Sequence, residues 1–231
     1  MKLYAHPAST VSRPVLHFIA DNHIAVDLQI VDIFKGEHYS EDFTQRNPNR
    51  LVPVLEDGDF RLTESASILR YLADVIDSPA YPKDLKARAR VNEALDWFNV
   101  NFYRDWGYGL IYPQIIAQHK RGDEGTQAGT LAWAKQKSEG WLAILNNHWL
   151  GAGNPYLCGD TITLADYFGL AITTAGELVH CDLSAYPHVV AWLDRLKARP
   201  SYAEVYAAFN GFAASTKGGN FVRIAPASPA V

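Results

Sequence analysis

Short apolar runs alternate with amphipathic stretches over the first third of the chain, and the remainder repeats at helical spacing. Leu3-Tyr4-Ala5 predicts a strand whose Tyr4 points into the core, and Pro14 to Ala20 predicts a helix. Val26 to Val31 alternates with period two, as a half-buried strand does, and the polar stretch Lys35 to Asn47 has room for a short helix. Leu51-Val52-Pro53-Val54-Leu55-Glu56 predicts a third strand, Asp57-Gly58 a hairpin turn, and Phe60-Arg61-Leu62 an antiparallel return. From Ser65 to Ile76, the residues Ile68, Leu69, Leu72 and Ile76 share one helical face. The order βαβ, helix, hairpin, helix is that of an α/β thioredoxin-like domain, here expected over residues 1–77.

Asp77-Ser78-Pro79-Ala80-Tyr81-Pro82 is dense in breakers and reads as a linker into an all-α domain over residues 84–214. Helices are expected over Asp84 to Tyr103, with a kink or break invited by Gly107, Gly109 and Pro113, and over Thr126 to Leu150, ending before Gly151-Ala152-Gly153. Thr163-Leu164-Ala165-Asp166 has the form of a capping box. Pro187 suits a first helical position, Pro200 a helix end, and Ser201 to Phe212 a last helix before an irregular tail over residues 215–231.

The chain has 231 residues, 48% of them hydrophobic, enough for a sizeable core. A net charge of −4 gives no electrostatic case for nucleic acid or an anionic membrane. Cys158 and Cys181 form neither a CxxC pair nor a disulfide framework, and the first residues lack the apolar run of a secretory signal, so a cytoplasmic setting is expected. Cys158 is read as a structural thiol. No apolar run is long enough for a membrane span, and the eight histidines lack metal-ligand spacing, so no metal is expected.

Pro53 stands out because a proline inside a strand donates no ladder hydrogen bond. Either it is a harmless edge proline, or Val52-Pro53 is a cis bond at a sheet edge that leaves the Val52 main chain free to pair with an extended peptide. Eleven residues on, Glu64-Ser65 sits where a strand meets a helix. It is either an ordinary cap or a paired acceptor, with the helix start taking a carboxylate and Glu64 an ammonium, as an α-amino acid head group requires.

Together these features resemble the glutathione site of the glutathione transferase family. The strings Lys35-Gly36-Glu37-His38, Asn47 to Leu55, Asp57 to Phe60, Leu62 to Ser65, Pro82 to Val91 and Ile162 to Asp166 are similar to theta-type and related bacterial members, over roughly residues 2 to 205. The resemblance implies the glutathione transferase fold and glutathione as co-substrate. It implies that Val52 pairs with the cysteinyl part, that Glu64 and Ser65 hold the γ-glutamyl end, and that His38 lies near the glycyl end. Leu51 stands where theta-type members often carry lysine, which leaves Arg50 as the nearby substitute cation. It also implies a homodimer and a serine hydroxyl that activates the thiol. Two serines qualify. Ser9 is favoured by its distance from Val31-Asp32 and Lys35-Gly36, whereas Ser12, just before Arg13-Pro14, has an alternative role as a helix cap.

Phe102, Trp106, Tyr108 and Tyr112 fall at the expected bend of the long helix and are either core or dimer-interface aromatics or the lining of an apolar substrate pocket, whose opening Phe212 and Phe221 would cover. Three functions stay open: conjugation of glutathione to a small hydrophobic electrophile, perhaps displacing halide; a glutathione-dependent peroxidase or disulfide reductase; and a non-catalytic binding module on the same fold.

Overall fold

Alternation decides which face each strand turns inward. In a computed structural model that describes residues 1–151 and 153–226, β1 (Lys2–Ala5) buries Leu3 and Ala5 completely. Tyr4 takes the opposite face, half-buried, where it donates to Glu56 at 3.1 Å beside a small second cluster of Val31, Phe43, Val52 and Val54. The expectation that Tyr4 enters the main core is thereby corrected. Strand β1 pairs in parallel with β2 (Asp27–Ile30) and antiparallel with β3 (Val54–Asp57), which pairs in turn with β4 (Phe60–Leu62), giving the order β2-β1-β3-β4. Strand β3 is an inner strand and begins one residue after Pro53, so the proline precedes the ladder and does not lie on a sheet edge. That resolves its missing donor.

Helix α1 (Arg13–Asp21) links β1 to β2, α2 (Glu41–Arg46) occupies the polar stretch, and α3 (Ser65–Val75) buries Ile68, Leu69 and Leu72. After the linker, Asp84 caps α4 (Leu85–Asp96) by accepting from the Lys86 and Ala87 amides. The helix then runs on through wide π-type turns over Trp97–Phe102 and Arg104–Ile111 into α5 (Tyr112–Ile115). Gly109 does not break it. A Cβ there would sit 2.8 Å from that of Ala134, so the glycine is what lets α6 (Glu124–Ile144) lie close against the long helix. Helix α6 extends through a further wide turn over Leu145–Trp149, and Ala152, within its expected terminator, lies outside the described residues.

Every residue of α7 (Leu164–Thr174) is buried. Its capping box is formed, and the Asp166 carboxylate also accepts from the Leu157 amide at 2.9 Å and the Trp192 indole at 2.9 Å. Helix α8 (Pro187–Lys197) follows, and the single last helix expected from Ser201 is divided at Tyr206 into α9 (Tyr202–Val205) and α10 (Ala207–Ser215). The tail is strapped down: Val222 donates to Gln114 and Asp182 donates to the Ile224 carbonyl. Its last positions, 227–231, lie outside the described residues.

Two polar clamps join α1 to the helical part. At its start, the fully buried Arg13 guanidinium donates to Thr174 Oγ1 and the Ala171 carbonyl, both at 3.0 Å, and stacks 3.6 Å from the Phe209 ring centre. At its end, Asp21 accepts from Tyr167 at 2.7 Å and from Arg199 and Ser201. Between them His17 is enclosed edge-on by Tyr167, Tyr202 and Tyr206, and burial lowers its pKa to about 4.

Asp166→Ala strands the Leu157 and Thr163 amides and the Trp192 indole. It is expected to cost about 3 kcal/mol or more in urea unfolding, since each buried orphan donor costs ~1–3 kcal/mol. His17 makes stability depend on pH. The unfolded chain binds its proton near 6.5 and the folded chain only near 4, so stability is full above about 6.5 and falls as pH drops towards 4. In urea titrations across that window His17→Phe should flatten this slope by up to about 3 kcal/mol.

Candidate functional site

Two cavities flank the seam between the sheet and the long helix and share Val11, Leu51, Val52, Tyr103 and Tyr108 in their walls. The first, about 260 Å³, adds Asn47, Pro53, Glu64, Ser65 and Ala66 from the sheet domain, Asn99 and Arg104 from the long helix, and Phe168. The second, about 170 Å³, is more apolar and adds Ser9, Thr10, Phe34, His38, Arg50, Tyr112 and Phe212 among others.

The floor of the first cavity follows from one turn. Asn47, almost fully buried, donates to the Leu51 carbonyl at 2.7 Å and accepts from the Asn49 amide at 3.0 Å, so its side chain closes the loop into β3. Arg50 takes the left-handed region there (φ 57°), and the Val52-Pro53 bond is cis. Among the described residues, no hydrogen bond occupies the Val52 amide or carbonyl. Glu64 also has a left-handed φ (66°), which costs of order 1–3 kcal/mol outside glycine and marks positions the surroundings over-determine. Ser65, buried, opens α3, so the helix start and the Glu64 carboxylate border the same space as the open Val52 backbone. An extended peptide carrying an α-amino acid head group fits this combination.

In the second cavity the loop from His6 to Ser12 coils before α1. Ser9 supplies the cap: its hydroxyl accepts from the Ser12 amide at 3.3 Å and its carbonyl from the Arg13 amide at 3.1 Å. Ser12, read from sequence as a helix cap, makes no such bond, is fully buried and lines neither cavity. The cap falls three residues earlier because the chain already turns at Ser9. The His38 ring lies tilted against that of Tyr39 with centroids 3.9 Å apart, burial lowers its pKa, and the residue lines the cavity. Phe34 meets Phe212 edge-on at 5.4 Å across the opening.

Of the four aromatic candidates, Tyr108 and Tyr112 line the cavity, while Phe102 and Trp106 do not. The latter pair are fully buried and stacked at 5.4 Å, with the Trp106 indole donating to the Ile172 carbonyl. Phe221 lines neither cavity and packs near His180. The Trp106 indole N–H is satisfied inside the core and Phe102 has no polar group, whereas Tyr108, Tyr112 and also Tyr103 line the cavities. Thr10, Phe34, Asn47, Asn99 and Arg104 are further wall residues that sequence reasoning did not single out; the Asn-Pro turn was the one usable signal. Burial pushes the Cys158 thiol up to about 12 and Cys181 up to about 11, so neither is a nucleophile near neutral pH. Among the described residues, no cluster of three or more His, Cys, Asp or Glu side chains is arranged to hold a metal, and no helix is long and apolar enough to cross a membrane.

Residues 1–74 match the family model for the glutathione S-transferase N-terminal domain, and residues 122–200 match that for the C-terminal domain. Glutathione S-transferase theta-1 of Homo sapiens is 36% identical over 211 residues, 86% of this chain and 82% of that protein. Glutathione S-transferase theta-2 of Rattus norvegicus is 34% identical over 86% of this chain and 81% of that protein. Among solved structures, human glutathione transferase theta-2 in complex with glutathione and an unknown ligand aligns with a TM-score of 0.80 at 29% identity, covering 97% of this chain and 93% of that one. The apo form of human glutathione S-transferase T1-1 aligns with a TM-score of 0.78 at 31% identity, covering 90% and 88%.

Proposed function

The chain belongs to the glutathione S-transferase family, and on that premise we propose that glutathione lies along the first cavity with its sulfur at the shared wall and its glycyl end extending past that wall into the second. A small hydrophobic electrophile then enters the second. One observation carries the reading: the unpaired Val52 main chain, the Glu64 carboxylate and the start of α3 at Ser65 border a single cavity. The extended cysteinyl residue pairs with Val52, the γ-glutamyl ammonium meets Glu64, and its carboxylate meets Ser65. His38 and Arg50, both in the wall of the second cavity, are the residues for the glycyl end. Leu51, half-exposed, lines both cavities and supplies apolar contact only.

Ser9 is the activating residue. Its hydroxyl oxygen already accepts from the Ser12 amide, which leaves its proton for an anion in the cavity. A free thiol ionises near ~8.5, and a hydrogen bond to the charged sulfur worth roughly 1.5–3 kcal/mol lowers that by about one to two units. The thiol proton leaves to solvent. The thiolate then attacks an electrophilic carbon, forming the C–S bond as the leaving group, a halide in one substrate class, departs with its electron pair. Neither a metal nor a general base is needed to hold the anion. The wall that receives the electrophile is built from Ile33, Phe34, Ile115, Ile116, Leu178 and Phe212, which favours an uncharged apolar molecule. A homodimer and a reducing, cytoplasmic setting complete the reading, the latter supported by two unpaired thiols.

Thiolate absorbance of bound glutathione, followed against pH, tests the assignment. Ser9→Ala should raise the bound thiol pKa by about one to two units, while Ser12→Ala should leave it at the wild-type value. An unchanged pKa in Ser9→Ala rules out the serine mechanism.

A further inference from the structure

Beside Ser9 lies a chain of three hydroxyls that the serine mechanism does not use. Tyr103 and Tyr112, both buried on the long helix, bring their oxygens to 2.6 Å, and Tyr112 donates to Thr10 Oγ1 at 2.8 Å. The direction of the chain follows from counting protons. Tyr112 has one, and it is committed to Thr10, so the bond between the phenols is donated by Tyr103. Thr10 therefore accepts at its oxygen and keeps its own proton. Among the described residues no acceptor takes that proton, and Thr10 shares the cavity wall with Ser9 and Val52.

The surroundings favour donation towards a negative charge. Burial pushes the Tyr112 phenol up to about 12 and raises that of Tyr103 well above its ordinary value, so both stay protonated wherever a thiolate is in use. The charged and titratable groups facing the chain are Arg13, Tyr108 and His119, whose ring centre lies 5.6 Å from that of Tyr112. A hydroxyl that accepts one hydrogen bond becomes a stronger donor of the next.

We propose that Thr10 is a second catalytic donor to the glutathione thiolate beside Ser9, with Tyr112 and Tyr103 as positioning residues that orient its hydroxyl. The proposal rests on the reading of these cavities as the glutathione site. No bond is made or broken in this role: Thr10 lends its proton to the sulfur as a hydrogen bond and retains it. Two hydroxyls then share the anion.

The test compares wild type with Thr10→Val, Thr10→Ser and Tyr112→Phe. The bound thiol pKa is read from thiolate absorbance, and S-methylglutathione, which has no thiol to ionise, is titrated calorimetrically to report the site itself. Thr10→Val should raise the thiol pKa by about one unit, an about tenfold loss of thiolate at a fixed pH well below the wild-type pKa. Tyr112→Phe, which removes one oxygen from the interior, should move it the same way by less, and Thr10→Ser should restore the wild-type value. S-methylglutathione should bind all four proteins alike. A thiol pKa unchanged in Thr10→Val, with S-methylglutathione still bound, overturns the role of Thr10. A pKa raised in Thr10→Val but unchanged in Tyr112→Phe overturns the relay. Failure of the wild-type protein to bind S-methylglutathione removes the glutathione reading itself, and this proposal with it.

Discussion

The cavity loop from His6 to Ser12 is only as well placed as α1, and α1 is held by a buried positive charge. Taking the Arg13 guanidinium out of water is expensive, and among the described residues no carboxylate pairs with it. Its cost is offset by bonds to Thr174 and Ala171 and by the face of Phe209, all supplied by the helical domain. Those bonds exist only when α7 and α10 are docked, so the charge ties correct domain packing to the start of α1. The Arg13 amide in turn donates to the Ser9 carbonyl. The hydroxyl that faces the cavity is thus one covalent segment away from the interaction that joins the two domains, and Asp21 secures the other end of the helix in the same manner.

The division of labour between the cavities follows from which kind of group supplies each wall. The sheet domain contributes backbone and helix-terminal groups, Val52 and Ser65, together with the strained Glu64. In the proposed reading these groups meet features common to one peptide and leave little room for variation. The second wall comes largely from loop and helix side chains such as Phe34, Ile116 and Phe212, which set shape and not charge. Such a wall can change its preference by side-chain substitution without disturbing the peptide site. The tyrosine face of the long helix sits between the two and touches both.

Features with short-range causes were legible in the sequence. The capping box at Thr163 and Asp166, the Asp57-Gly58 hairpin and the Ile68, Leu69 and Leu72 face of α3 depend on neighbours within one turn, and each formed where its residues stood, while Ile76 falls just past the helix end and is exposed. The Val52-Pro53 and Glu64-Ser65 pairs were legible only jointly, because each alone has an ordinary structural explanation. What failed depended on distance. Pro14 pointed to Ser12 as the cap, but the loop begins its turn at Ser9, a consequence of contacts between His6, Ser9 and Arg13. The aromatic run in the long helix was out of phase because wide turns from Trp97 to Ile111 shift which side chains share a face. Tyr103 and Thr10, 93 positions apart in sequence and joined through Tyr112, carry no local signature at all.

The central claim is that the unpaired Val52 backbone and the Glu64-Ser65 helix start act together on one peptide. Calorimetric titration with glutathione and with the dipeptide Cys-Gly, which keeps the thiol and the glycyl end but lacks the γ-glutamyl group, tests it directly. Saturable binding of glutathione, with the dipeptide weaker by at least about tenfold for the loss of a charge-assisted contact, is the predicted result. Equal affinity for the two peptides, or no binding of either, would contradict it.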